Sequence, residues 1–247
     1  MPYALPMNRR HFLLATSAAA AAATLPRVSA FAQPAATPPL VTRFEEIRRG
    51  VGCFIGNGGT IGYLVNPAGA VAVDSQFVEP AQACVAGLRR RAPLQILVNT
   101  HHHFDHTRGN VAFRPHVRTI VTHANSLLWH RRMAAQDGTA AQEAFADTTF
   151  TSSWRQSFGD ETVSAHYYGP GHTSGDAVVT FEQANVMHMG DLLALRAHPN
   201  IDRLVGGSVV GWVAVLEAVA NDDTVFIAGH GKDGVILARK ADVLNFR

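Results

Sequence analysis

A chain of 247 residues, 47% of them apolar, is long enough to bury a sizeable core within one domain. Its formal charge of +2 is too small for a partner held by many phosphates, which speaks against nucleic acid. Two isolated cysteines, Cys53 and Cys84, lack the paired spacing of a zinc–thiolate site.

In chain order, the first segment reads as an address. Asn8, Arg9, Arg10 and His11 precede an apolar, alanine-rich stretch over residues 12–25, and Ala30-Phe31-Ala32 follows with small residues at its first and third positions. This is the layout of a signal peptide over residues 1–32, and the paired arginines make it resemble a twin-arginine signal. The stretch is too short and too alanine-rich to span a bilayer well, so no stable membrane span is expected after cleavage. Cleavage after Ala32 removes Arg9, Arg10 and Arg27 and no acid, which takes the formal charge from +2 to −1. A twin-arginine route carries folded proteins, and the expected destination is the periplasm. Residues 33–40 read as a flexible leader.

The remaining domain, 41–247, opens with strand-like runs over 41–55, 60–65 and 70–74, separated by Gly56-Asn57-Gly58-Gly59 and Asn66-Pro67-Ala68-Gly69. Residues 78–91 have helical periodicity. Residues 94–98 form an apolar strand, 101–110 a polar loop, 118–121 a strand and 124–135 a helix. The pattern over 139–160 is indistinct and is read as including a mobile or substrate-facing segment. Strands follow at 163–168, 177–181 and 186–189, then a helix at 209–220, a strand at 224–228 and a closing helix within 232–246. This order predicts two sheets packed face to face with helices outside, an α/β (α+β) arrangement. The cysteines read as buried thiols in a strand and a helix, with a disulfide left open. Nothing in the pattern sets an oligomeric state.

Histidine is the unusual component, with 13 copies, and its placement carries the chemistry. His101-His102-His103-Phe104-Asp105-His106 holds four imidazoles and a carboxylate, with three of those imidazoles and the carboxylate at positions one, three, six and five of the run. In an extended backbone alternate side chains share a side. His101 and His103 can then grip one cation, Asp105 and His106 reach a second, and His102 points away. Neutral imidazole and carboxylate suit zinc, and also iron or manganese. His172, Asp191 and His230 each follow a strand and each stand beside glycine, where the backbone turns tightly. His188 is out of phase with Asp191 and reads as packing or solvated. His116, His123, His130 and His166 carry no expected role.

The set His101, His103, Asp105, His106, His172, Asp191 and His230 resembles the metallo-β-lactamase superfamily, and the resemblance runs from about residue 44 to just beyond His230. It implies an αββα sandwich of two mixed β-sheets and two Zn2+ ions. His101, His103 and His172 would hold the first, Asp105, His106 and His230 the second, and Asp191 would bridge them. Zinc β-lactamases usually have cysteine or serine where Asp191 stands. An aspartate there is similar to the glyoxalase II and lactonase branch, and to periplasmic hydrolases of that fold. The implied reaction is attack by a metal-bridged hydroxide on an ester, thioester, lactone or amide of a small-molecule substrate, with Asp105 as the catalytic residue. Asp74 resembles the family's aspartate that steadies ligand histidines, and His198 is placed to touch substrate. The alternatives are an iron-dependent oxygenase of the persulfide dioxygenase type and a β-lactamase-like activity.

Overall fold

The computed structural model describes residues 41–246. The signal and leader expected over 1–40 lie outside them. Among the described residues no helix is long and apolar enough to cross a membrane.

The first sheet has seven strands in sequence order: β1 (Arg43–Arg48), β2 (Val51–Ile55), β3 (Ile61–Asn66), β4 (Gly69–Val73), β5 (Leu94–Val98), β6 (Thr119–His123) and β7 (Thr148–Phe150). The first four are antiparallel, and β4 to β7 run parallel. Tight turns serve the antiparallel pairs, while the parallel pairs need crossovers. Those include α1 (Val78–Arg89) and α4 (Ala124–Gln136), with the short helices α2 (Phe104–Thr107) and α3 (Asn110–Phe113) between β5 and β6. The second sheet has β8 (Ser153–Phe158), β9 (Glu161–His166), β10 (Val178–Phe181), β11 (Val186–His188), β13 (Val225–Ile227) and β15 (Leu237–Ala238), in the order β15-β13-β11-β10-β9-β8. Between them in the chain, β12 (Ala194–Leu195) pairs in parallel with β14 (His230–Gly231). Helices α5 (Val209–Val219) and α6 (Lys240–Asn245) complete the chain.

Strand alternation sorts the side chains into layers. Val71 and Val73 of β4 meet Val163, Val179 and Ile227 in the core between the sheets. Their neighbours Ala70 and Ala72 face outward against Cys84, Val85 and Leu88 of α1. On the far side, Val178 and Phe226 pack against Trp212, Val215 and Leu216 of α5. The molecule is therefore helix, sheet, sheet, helix, and both sheets are mixed, as the sequence led us to expect. Cys53 lies in the central core and Cys84 in the outer one, and both thiols are free. Burial pushes the Cys53 thiol up to about 12 and raises that of Cys84 as well.

Two local expectations need correction. The indistinct stretch 139–160 holds a 3-10 turn (Ala140–Gln142), β7 and β8, whose exposed faces blur the period-2 pattern. The closing helix covers only α6, because Asp233 and Gly234 take positive φ and β15 precedes it. The polar loop after β5 is partly helical, since the chain leaves extended geometry at His103 (φ −60°, ψ 144°) and enters α2.

Candidate metal centre

The site forms where strands of both sheets end. β4 delivers Asp74. β5 delivers Thr100 and His101, with His103 next in extended backbone and Asp105 and His106 on α2. The loop before β10 supplies His172, a 3-10 turn after β11 (Gly190–Leu192) supplies Asp191, and β14 supplies His230.

These residues converge as two groups. His101, His103, His172 and Asp191 place their ligand-capable atoms within 4.8 Å of one another, and so do Asp105, His106 and His230. Asp191 joins the groups. Its Oδ2 lies 3.6 Å from His172 Nε2 and 3.9 Å from His101 Nε2. Its Oδ1 lies 3.0 Å from His106 Nε2 and 3.4 Å from His230 Nε2. His230 Nε2 is also 3.1 Å from Asp105 Oδ2. Two atoms bound tetrahedrally to one zinc at about 2.0–2.1 Å stand about 3.4 Å apart, so this spacing suits a cation in each group.

The outer faces of the histidines fix their tautomers. Asp74 Oδ2 accepts from His106 Nδ1 at 2.8 Å and Asp202 Oδ2 from His103 Nε2 at 3.1 Å. The Asn200 carbonyl accepts from His172 Nδ1 at 2.5 Å. Thr100 gives its hydroxyl proton to Asp74, so its oxygen accepts from His101 Nδ1 at 3.1 Å. A carboxylate or carbonyl cannot donate. In a neutral ring the inward nitrogen is then the one left with the lone pair. His103 Nδ1 and His172 Nε2 face each other at 2.9 Å, and His106 Nε2 and His230 Nε2 at 3.2 Å. His101 Nε2 and Asp191 Oδ1 are buried without a hydrogen-bond partner. Facing ring nitrogens and orphaned polar atoms are costly unless something positive, a proton or a cation, lies between them. The donor set fits a pair of cations.

Titration behaviour agrees with that deficit. Burial holds His101 well below the usual histidine range, and the charge on His106 adds to the effect. Burial also opposes charge on His106, but Asp191 and Asp74 outweigh it and hold the ring well above that range. His230 is raised to about 9 against burial by the Asp105 and Asp191 carboxylates beside it. Burial pushes Asp191 up, yet His106 and His230 hold it well below the carboxylate range. Without a metal, protons on His106 and His230 neutralise the acids. A cation would replace them.

Close approach explains two of the glycines. A Cβ on Gly59 would stand 2.2 Å from His106 Cε1, and one on Gly229 would stand 2.2 Å from Asp191 Oδ1. The glycine before His230 is thus required by contact with Asp191 across the site. Asp74 itself is fully buried and left-handed, φ 64°.

The structure brings all seven sequence-derived candidates together and sets Asp74 against His106. His198 lies exposed on the wall of the cleft above the centre. His102 is buried beside Trp129, outside both groups. His188 is buried in the second sheet, its Nε2 3.0 Å from the Thr60 carbonyl. Sequence reasoning missed Asp202, which lies 99 positions from His103. Its side chain also caps the 3-10 turn Arg203–Val205 through the Leu204 amide. A capping aspartate was a readable signal for that turn, but nothing in spacing tied it to His103.

A two-sheet αββα domain with a seven-residue His/Asp centre at the strand ends defines a class of metal-binding fold. The chain belongs to the metallo-beta-lactamase superfamily, whose family model matches residues 62–230. A twin-arginine translocation pathway signal sequence matches residues 6–26 and indicates export across the cytoplasmic membrane. Among solved structures, the chain is similar to a metallo-beta-lactamase from Pontibacter korlensis, with TM-score 0.68 and 18% identity, over 83% of this chain and 98% of that one. It is similar to the metallo-beta-lactamase DIM-1, with TM-score 0.67 and 16% identity, over 84% and 96%. A metallo-beta-lactamase from Hirschia baltica gives TM-score 0.64 and 18% identity, over 83% and 95%. These identities speak for the fold alone. No curated protein matches the chain.

Proposed function

We propose that the protein is a zinc-dependent hydrolase of a small ester, thioester, lactone or amide, acting in the periplasm. The observation that carries this reading is the division of Asp191, with one oxygen turned to each ligand-capable group. His101, His103 and His172 would hold the first ion, Asp105, His106 and His230 the second, and Asp191 both. Two such ions supply a water deprotonated near neutral pH and a Lewis acid for the carbonyl oxygen. The chain's own part is orientation. Asp74, Thr100, Asp202 and the Asn200 carbonyl lock four imidazoles, and Asp105, whose Oδ2 lies 3.1 Å from His230 Nε2, would orient the nucleophile and manage its proton. No serine or cysteine nucleophile is needed.

The signal match supports cleavage near Ala32 and a mature domain from about residue 41. Its near-neutral charge fits a small-molecule substrate better than nucleic acid. The test is metal analysis of the purified protein together with turnover by Asp105→Ala. Two zincs per chain and loss of hydrolysis in a folded variant are expected. Bound iron with oxygen uptake would overturn the reading in favour of an oxygenase on this fold, and full turnover by Asp105→Ala would refute the role of that carboxylate.

A further inference from the structure

Residues 80–136 hold eight arginines and a single acid, Asp105 of the metal centre. Soluble surfaces ordinarily intersperse both signs, and the whole chain carries only +2, so this excess is local. Five of the eight, Arg89, Arg90, Arg91, Arg114 and Arg118, gather where α1 leads into β5 and where α3 leads into β6. The Arg118 amide donates to the Gln95 carbonyl at 2.8 Å, which lays the two connections side by side. Between them runs a shallow groove of about 580 Å³, lined by Arg89, Arg90, Arg91, Pro93, Pro115 and His116, which is wide enough for a phosphodiester headgroup.

Two of the five serve the fold. Arg91 lies 3.8 Å from Glu46 and over the Tyr63 ring at 5.2 Å. Arg114 pairs with Asp147 and donates to the Val117 and Arg118 carbonyls. Arg89, Arg90 and Arg118 are exposed and form no ion pair among the described residues. The C-terminus of α1 carries about half a negative charge, which one arginine more than meets. The remainder is a positive surface on connections that Pro93 and Pro115 stiffen. Its place is informative. β4, β5 and β6 run parallel, and Asp74 and His101 follow the C-terminal ends of β4 and β5. The arginines stand at the N-terminal ends of β5 and β6, a strand length of about 16 Å away. Whatever meets them meets the end of the molecule opposite the metal cleft.

We infer that this end docks the protein reversibly on an anionic phospholipid bilayer, with headgroup phosphates among Arg89, Arg90 and Arg118 and the metal cleft turned to the aqueous side. Guanidinium groups match phosphate oxygens in pairs. Export across the cytoplasmic membrane brings the folded chain beside such a surface. Three free charges make too short a track for nucleic acid, whose hold grows with each phosphate met, whereas a bilayer offers its charge as a plane to a compact patch. None of the large exposed hydrophobics lines the groove, so the attachment is electrostatic and readily reversed. It stands whether or not the two-cation reading does.

The test is sedimentation of the purified protein with sucrose-loaded vesicles of phosphatidylglycerol and phosphatidylcholine in equal parts. The protein should pellet with them at low salt, and should stay in solution with pure phosphatidylcholine or at about 0.5 M salt, where screening is short-ranged. Arg89→Gln with Arg90→Gln should weaken binding about 25-fold, about fivefold for each charge held near the surface. Arg196→Gln with Arg203→Gln removes the same charge from the cleft side and should weaken it less than about fivefold. Thermal unfolding like that of the natural protein shows that each variant is folded. Absence of binding to the phosphatidylglycerol vesicles overturns the inference, as does an equal loss in both variants. Displacement by inorganic phosphate at constant ionic strength also overturns it, by assigning the groove to a free anion.

Discussion

Replacing Asp74 with asparagine separates the charge of this residue from its shape. The side chain is fully buried and receives three hydrogen bonds: from the Thr100 amide at 2.7 Å, the Thr100 hydroxyl at 2.8 Å and His106 Nδ1 at 2.8 Å. Asparagine tolerates the left-handed φ of 64° as well as aspartate does. It keeps one acceptor, but its amide end must face a donor. One of the three bonds is lost, at a cost to stability of about 1–3 kcal/mol. The larger effect falls on metal binding. Without a carboxylate to draw the Nδ1 proton, His106 is a weaker and less well-aimed ligand, and affinity for one equivalent should fall about 10- to 100-fold, or about 1.4–2.7 kcal/mol. Asp74→Ala adds strain at φ 64° and leaves both Thr100 donors bare, for about 3–5 kcal/mol in all. The assay is chelator competition resolving the two equivalents, beside urea unfolding of the metal-free forms. The equivalent served by Asp105, His106 and His230 should weaken most, since Asp74 reaches His101 only through Thr100. If Asp74→Asn holds both ions as tightly as the natural protein, the orienting role of Asp74 is refuted.

Four further outcomes follow from the same geometry. Asp202→Asn should weaken the other equivalent, the one served by His103, and shift the visible spectrum of the cobalt-substituted protein, since only that ring loses its carboxylate. An unchanged spectrum would show that Asp202 merely caps its turn. Gly59→Ala, whose Cβ would stand 2.2 Å from the His106 ring, should displace that ligand and lower metal stoichiometry toward one per chain, as read by elemental analysis. Asp176 is buried and its carboxyl is raised from 3.8 to about 6, burial outweighing the hydrogen bonds from Thr173 and Gly171. Its folded value exceeds its unfolded one, so its contribution is fully present below about pH 4 and is lost as pH rises through 6, about 3 kcal/mol in all. Asp176→Asn should flatten the thermal stability of the metal-free protein over that window, and an unaltered slope would count against this account. Cys53 and Cys84, wholly buried and with raised thiol values, should resist a thiol reagent until the protein is unfolded.

The sandwich was legible because its strands alternate or run apolar: Gly69–Val73 and Leu94–Val98 can only be edges or cores of sheets, and burial confirms the latter. The centre was legible because His101 to His106 is dense in ligand types and the three remote residues keep glycine beside them. What escaped was long-range or low in contrast. Asp202 is one acid among many until the chain brings it to His103. The strand β8 carries four exposed residues of six and has no apolar period to read. The pair β12 and β14 is two residues long on each side, too short for any pattern. His103 ends the extended run by taking the N-terminal boundary of α2, and neither the boundary nor its partner Asp202 is written locally.

Asp74, His101, His103, Asp105 and His106 follow strands of the first sheet, while His172, Asp191 and His230 come from segments of the second. Neither half of the polypeptide owns a complete coordination shell. A cation seated there rivets the two layers across their seam, so that loading the ion and closing the sandwich become one event. At a hundredfold excess over its dissociation constant such an ion adds about 2.7 kcal/mol to the folded state. Because a complete shell needs residues from both sheets, an occupied site would report a closed sandwich, the state that a twin-arginine route accepts.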